Sequence, residues 1–161
     1  MILEVHARGD AMSPWRLVNA YPILAASGAP GPKLREGDRQ VPEGIYAIEN
    51  LNPNSRYHLA LRLDYPNAFD RARAREDGRT ELGGDIMIHG QDVSIGCLAI
   101  GDRAIEDLFV LVARIGIGNA TVIVSPTDFR SGAHGPQVAM TWCGERYATL
   151  AQALAAFPRA P

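Results

Sequence analysis

Alternating apolar and polar positions predict that much of this chain forms short β-strands. In residues 57–65, YHLALRLDY, three leucines alternate with a histidine, an alanine and an arginine, a period typical of a half-buried strand. Apolar runs predict further strands at residues 1–6, 15–25, 45–50, 85–90 and 120–126. The 11 prolines and 16 glycines indicate frequent turns, which favours many short strands over a helical bundle.

A longer period predicts one clear helix at residues 102–114, DRAIEDLFVLVAR. Its apolar side chains fall on a single helical face, at Ile105, Leu108, Phe109 and Val112. A closing helix is predicted at about residues 145–157, whereas residues 27–44 and 66–84 are interpreted as loops, the second with a short helical turn. No domain boundary is visible, so we predict that residues 1–161 form a single β-rich α+β domain.

Composition excludes several classes of protein. The 16 Lys and Arg against 18 Asp and Glu give a net charge of -2, which offers no electrostatic case for binding nucleic acid or a membrane surface. No apolar run approaches the roughly 18 residues of a transmembrane helix, and the first residues, MILEVHARGD, lack the pattern of an export signal. Cys97 and Cys143 are too few for a disulfide framework, and whether they pair stays open.

The most reactive side chains of the chain lie close together in residues 88–98, IHGQDVSIGCL. A cysteine attacks a carbonyl as its thiolate, and a neighbouring imidazole can remove the thiol proton. The strand at 85–90 ends near His89, and the loop that follows can bring Cys97 back beside it. This spacing indicates a nucleophile and its base, with Ser94 orienting the imidazole or positioning a substrate.

Gly96 indicates how such a site would hold a reacting carbonyl. Without a Cβ, it lets a substrate approach the backbone N–H groups of Gly96 and Cys97, which are candidates for an oxyanion hole. Two other interpretations remain open on these residues alone. Cys97 and His89 could be an inert thiol and a hydrogen-bonded histidine, or part of a zinc site completed by His134 and Cys143.

Three separated segments carry a resemblance to a known family. The first is HG followed by SxGC, at residues 89–90 and 94–97. The second, GPKLREGDRQVPEGIY at residues 31–46, is similar to the segment in which the family has its TPxG motif. The third, LNPNSRYHLALRLDYPNAFDRA at residues 51–72, resembles the YafK-like branch. From about residue 2 to residue 130, the chain thus resembles the L,D-transpeptidase (YkuD-like) catalytic domain.

The resemblance implies a fold and a reaction. The fold would be a mixed β-sandwich-like domain with peripheral helices. Cys97 would attack the carbonyl of an L-centre joined to D-alanine in a peptidoglycan stem peptide, with His89 as base and later acid. The thioester acyl-enzyme would then pass to an amine of another stem peptide or of a protein lysine. Carbapenem-type inhibitors would acylate Cys97, no metal ion or organic cofactor would be needed, and the location would be the periplasm or cell envelope.

Candidate substrate contacts and alternative activities follow from the same residues. An anionic stem peptide needs cationic and polar partners, for which the candidates are Lys33, Arg35, Arg39, Tyr65 and Asn67. The chain departs from many family members at two positions near the cysteine, Ile95 and Ala99. A hydrolase of the same fold (an L,D-carboxypeptidase, an endopeptidase or an enzyme releasing a wall-attached protein), an inactive wall-binding module and a cysteine enzyme acting on an unrelated amide remain alternatives.

Overall fold

A computed structural model of the protein describes residues 1–159. Within them, eight strands occur in the order β1 Ile2–Ala7, β2 Arg16–Pro22, β3 Ala25–Ala26, β4 Gly44–Ser55, β5 His58–Leu63, β6 Met87–His89, β7 Leu98–Ala99 and β8 Thr121–Val124. The helices of the same residues are α1 Ala68–Glu76, α2 Asp102–Ile115 and α3 Cys143–Leu154, with 3₁₀ turns at Ile117–Asn119 and Phe129–Ser131. None of the helices in this range is long and apolar enough to cross a membrane.

Six strands form one mixed sheet in the order β3-β7-β6-β5-β4-β8. Strands β6 and β7 run parallel, with Ile88 opposite Leu98 and His89 opposite Ala99. The other neighbours in this sheet are antiparallel. The link between the parallel strands is the loop 90–97, so both ends of that loop lie on adjacent strands.

The two faces of the sheet differ in chemistry. One face carries the apolar core, which includes Tyr46, Leu61, Leu63, Ile88, Leu98 and Ile100. Helix α2 covers this face with its apolar stripe of Ala104, Ile105, Leu108 and Val112. Because side chains alternate along a strand, the intervening residues of β5, β6 and β7 point to the opposite face. That face holds the histidine and the cysteine.

The β1–β2 hairpin forms a separate two-stranded antiparallel sheet. Leu3, Val5 and Tyr21 pack against the edge of the core. The guanidinium of Arg130 donates to both carboxylate oxygens of Glu4, at 2.9 and 3.1 Å. This pair joins the first strand to the segment that leads into α3.

Helix α3 is held by a buried ionic network. Arg146 lies 2.6 Å from Asp70 on α1, and both side chains are more than nine-tenths buried. Its guanidinium also donates to the backbone carbonyl of Glu43 and to the Tyr46 hydroxyl. Tyr147 donates to the Glu43 carboxylate at 3.0 Å. The network therefore fixes the segment that enters β4.

The β-rich α+β fold predicted from the sequence is confirmed. Helix α2 and the alternation in β5 match their predictions closely. The region predicted as one strand at 15–25 is instead divided between β2 and β3, which belong to different sheets. The loop predicted at 66–84 contains the nine-residue helix α1. That residues 1–161 form a single domain stays a prediction.

Candidate active site

His89 ends β6 and is almost completely buried, with 2% of its surface exposed. Its Nδ1 lies 2.7 Å from the backbone carbonyl oxygen of Gly90. Because a carbonyl only accepts hydrogen bonds, Nδ1 must carry the ring proton. The other nitrogen, Nε2, then has a free lone pair and is the atom that can take a proton.

Tyr57 covers the imidazole from the β4–β5 turn. The two ring centroids are 4.6 Å apart, and the ring planes are tilted by 30°. Burial lowers the pKa of His89 below its ordinary value, and the Gly90 hydrogen bond opposes only part of this change. The imidazole is therefore neutral at pH 7, which suits a general base.

Cys97 immediately precedes β7. Continuing the β6–β7 register by one residue places it opposite Met87, on the same face as His89, because residues two apart along a strand share a face. Strand spacing and rise put the Cα atoms of Cys97 and His89 about 8 Å apart. The fold thus brings the predicted nucleophile and base to one face of adjacent strands.

The thiol is partly exposed and sits in a mixed electrostatic environment. Its Sγ donates to the backbone carbonyl of Asp85 at 3.5 Å, and the hydrogen bonds found among residues 1–159 do not join it to His89. Burial raises the pKa of Cys97, and the Asp85 charge adds to this effect. A backbone hydrogen bond from Met87 and the charge of Lys33 oppose it only in part. Both shifts favour a neutral thiol and a neutral imidazole at pH 7.

Two serine hydroxyl oxygens accept hydrogen bonds from the backbone N–H groups near the thiol. The Cys97 N–H donates to Ser94 Oγ at 3.0 Å, and the Ser94 hydroxyl donates to the Cys97 carbonyl at 2.6 Å. The Gly96 N–H donates to Ser27 Oγ at 2.6 Å. Gly96 has a φ of +84°, a conformation that favours glycine. Ser94 therefore shapes the turn that presents Cys97.

Comparison with known proteins decides the family. The sequence profile described as "YkuD: L,D-transpeptidase catalytic domain" matches residues 6–128, which include His89 and Cys97. The chain belongs to this L,D-transpeptidase catalytic domain family. Membership supports a peptidoglycan-related function for the chain.

Sequence and structural relatives agree with this assignment. The Escherichia coli (strain K12) protein named "Putative L,D-transpeptidase YafK" is 40% identical over 119 residues, which are 72% of this chain and 46% of that protein. The helical cell shape determining protein Pgp2 from Campylobacter jejuni has a TM-score of 0.58 and 25% identity, over 77% of this chain and 43% of Pgp2. Bd1075 from Bdellovibrio bacteriovorus has a TM-score of 0.53 and 22% identity, over 96% and 52%. The chain thus spans about half the length of these relatives.

The three candidate cations in residues 31–44 have different environments. The Lys33 ammonium is paired with Asp38 at 2.5 Å, and its side chain is only 6% exposed. Arg35 and Arg39 are exposed. The Asp38 carboxylate also accepts the backbone N–H groups of Leu34, Arg35 and Gln40. Lys33 is therefore part of the scaffold of the loop, although its charge reaches Cys97.

Tyr65 and Asn67 are engaged in structural contacts. Tyr65 is 5% exposed and donates its hydroxyl to the Leu82 carbonyl at 3.3 Å. The Asn67 side chain caps α1 by accepting the N–H groups of Phe69 and Asp70, and its amide donates to the Ile45 carbonyl. The substrate-binding roles of both residues stay predictions.

Several site features were not recognised in the sequence. The Gly90 carbonyl that orients His89 could have been suspected from the HG pair, since a histidine base needs an acceptor for its second nitrogen. The contacts of the Tyr57 ring and of the Ser27 hydroxyl have no local signal, because these residues lie far along the chain from His89 and Gly96. Within residues 1–159, no group of three or more His, Cys, Asp or Glu side chains is arranged to hold a metal ion.

Proposed function

We propose that this domain is a cysteine-dependent L,D-transpeptidase that acts on peptidoglycan stem peptides through a thioester. The observation that carries the proposal is the parallel pairing of β6 and β7. It supports a reacting pair of Cys97 and His89, since it puts both on one face and the His89 tautomer leaves Nε2 free. Family membership supports peptidoglycan as the class of substrate.

The first half-reaction forms the acyl-enzyme. The Cys97 side chain rotates away from the Asp85 carbonyl, and His89 Nε2 takes the thiol proton as the sulfur attacks the carbonyl carbon of the L-centre. The carbon–nitrogen bond then breaks, and His89 returns the proton to the departing nitrogen of D-alanine. The products are a thioester on Cys97, free D-alanine and neutral His89.

The second half-reaction transfers the acyl group. An acceptor amine, on another stem peptide or a protein lysine, attacks the thioester carbonyl and loses a proton to His89 Nε2. The carbon–sulfur bond breaks, and the sulfur recovers that proton as a thiol. Water in place of the amine would make the same enzyme a hydrolase.

The tetrahedral intermediate of each step needs donors for its oxyanion. We propose the backbone N–H groups of Gly96 and Cys97 for this role, with Ser27 and Ser94 holding them in the free protein. A substrate oxygen would replace the serine oxygens as the acceptor. Losing one such donor typically costs about 2.7–4 kcal/mol of transition-state stabilisation.

The test is incubation with a disaccharide-tetrapeptide, with and without an acceptor stem peptide, followed by mass spectrometry of the products. We expect cross-linked dimers, in a yield that the added acceptor increases, and one released D-alanine for each cross-link formed. The reaction should be lost in Cys97→Ala and retained in Cys143→Ala, since Cys143 is a buried cysteine on α3.

Other products would contradict parts of the proposal. Shortened peptide without dimers at any acceptor concentration would assign the domain as a hydrolase. Folded protein that releases no D-alanine would contradict catalysis on this substrate, and would favour a wall-binding module or a different amide substrate.

A further inference from the structure

An arginine lies on the same face of the sheet as the nucleophile. Arg62 on β5 is opposite Met87 on β6, and Met87 is the residue that the continued register places opposite Cys97. The three residues thus form one row across three strands. Two strand spacings separate the Cα atoms of Arg62 and Cys97 by about 10 Å, a gap that an extended arginine side chain largely spans.

The thiol and this guanidinium meet at a single residue. Arg62 Nη2 lies 3.1 Å from the Asp85 carboxylate, while Cys97 Sγ donates to the Asp85 backbone carbonyl at 3.5 Å. Arg62 Nε also lies 3.1 Å from the Glu49 carboxylate. Asp85 therefore contacts both groups, the guanidinium through its carboxylate and the thiol through its backbone carbonyl.

The present partners of Arg62 are suited to exchange. Its side chain is 41% exposed, that of Glu49 is 55% exposed and that of Asp85 is 73% exposed. Ion pairs between such exposed groups contribute little net stability. A substrate carboxylate can bind a guanidinium through two parallel hydrogen bonds, so it can compete with these partners.

We propose that Arg62 binds a free carboxylate of the acyl donor and that the Asp85 carboxylate occupies this site in the free protein. The inference rests on the proposed function, and it names the part of the substrate that this site recognises. The two residues joined by the reacting bond each carry one carboxylate with the required chemistry. One is the terminal carboxylate of the leaving D-alanine, and the other is the side-chain carboxylate of diaminopimelate.

The first test needs no peptidoglycan activity. Cys97 is alkylated with iodoacetate, which is anionic, and with neutral iodoacetamide, and peptide mapping separates Cys97 from Cys143. The quantity measured is the rate constant with iodoacetate divided by that with iodoacetamide. We expect Arg62→Ala to lower this ratio by about threefold or more, as for loss of one partly exposed ionic contact. Arg62→Lys should retain most of the ratio, since it keeps the charge.

A variant that should raise the ratio distinguishes anion binding by Arg62 from a purely structural role of Arg62. Asp85→Asn removes the competing carboxylate, and asparagine tolerates the φ of +54° at this position. It should raise the ratio when Arg62 is present and raise it less in the Arg62→Ala background. The matched control is Arg114→Ala, an exposed arginine at the end of α2 on the core side of the sheet, which should leave the ratio unchanged.

Donor peptides then identify the carboxylate. Arg62→Ala should raise the donor KM at least threefold and change kcat less. If the terminal carboxylate is bound, amidating it should abolish this difference between the variant and the parent. If the diaminopimelate carboxylate is bound, a donor with lysine in place of diaminopimelate should instead abolish this difference in KM.

The outcomes separate this inference from the proposed reaction. An alkylation ratio that does not change in Arg62→Ala would overturn the Arg62 site, even if transpeptidation proceeds. Equal Arg62→Ala effects on the KM of all three donors would also overturn it. Absence of turnover with every donor, together with a lowered alkylation ratio, would contradict the proposed reaction while keeping the anion site.

Discussion

The rate at which Cys97 is alkylated should rise with pH, and the midpoint of that rise should lie at a higher pH than for an ordinary thiol. An ordinary thiol, with a pKa of about 8.5, is roughly 3% thiolate at pH 7. Burial raises the pKa of Cys97, so its thiolate fraction at pH 7 must be smaller. Burial also lowers the pKa of His89, so the imidazole is neutral and provides no positive charge to stabilise a thiolate. We expect the free protein to hold no thiolate–imidazolium pair.

The rate of alkylation by iodoacetamide measures this thiolate fraction. Between pH 6.5 and pH 8.5, the rate at Cys97 should rise about tenfold per pH unit without a plateau, because only the thiolate reacts. The His89→Ala variant should give nearly the same curve, although its turnover should be lost. His89 would then act during the attack on substrate and not by maintaining a thiolate beforehand.

A plateau or an inflection below pH 7 would refute this reasoning. It would show that a thiolate is already stabilised in the free protein, and a loss of that plateau in His89→Ala would identify imidazolium as its partner. Peptide mapping must assign each rate, because the chain has a second cysteine, which is 2% exposed and should react far more slowly.

Three further variants test the support of the site. Arg146→Met should lower the free energy of unfolding by about 3–5 kcal/mol in a urea titration, because it leaves the buried Asp70 carboxylate without its partner. Gly90→Ala should lower turnover on the order of tenfold to a hundredfold, since a Cβ there would lie 2.7 Å from the Tyr57 carbonyl oxygen and must displace the loop that orients His89. Tyr57→Ala should raise the pKa of His89 towards about 6.5 in an NMR titration, because it exposes the imidazole.

Each of these variants has a control and an outcome against it. Arg114→Met, at an exposed site, should change the unfolding free energy little. A loss equal to that in Arg146→Met would contradict the buried Arg146–Asp70 pair as the cause of the effect. Full turnover in Gly90→Ala would show that the close approach of the Gly90 backbone to Tyr57 does not fix the catalytic position of His89. A His89 pKa that is unchanged or falls in Tyr57→Ala would contradict burial as the cause of its present value.

The elements that sequence reasoning recovered are those with local periodicity. The apolar stripe of α2 and the alternation in β5 follow directly from the chain. The position of His89 at the end of a strand was also predictable, since an apolar run ends there before Gly90. The chemical types of Cys97 and His89 then limited the site to a few reactions.

The elements that were missed depend on distant partners or on weak apolar signals. Strand β7 has two residues and gains its identity only by pairing with β6 and β3. Helix α1 has few large apolar residues, although the capping box of Asn67 and Asp70 was a readable start signal. The contact of Arg146 with Asp70 joins residues 76 positions apart, and no local pattern encodes such a pairing.

Intact-protein mass spectrometry with a carbapenem tests the nucleophile most directly. We predict one covalent adduct per chain, located on Cys97, absent in Cys97→Ala and slowed on the order of a hundredfold in His89→Ala. Folded protein that forms no adduct, or an adduct that persists in Cys97→Ala, would contradict the assignment of Cys97 and His89 as the reacting pair.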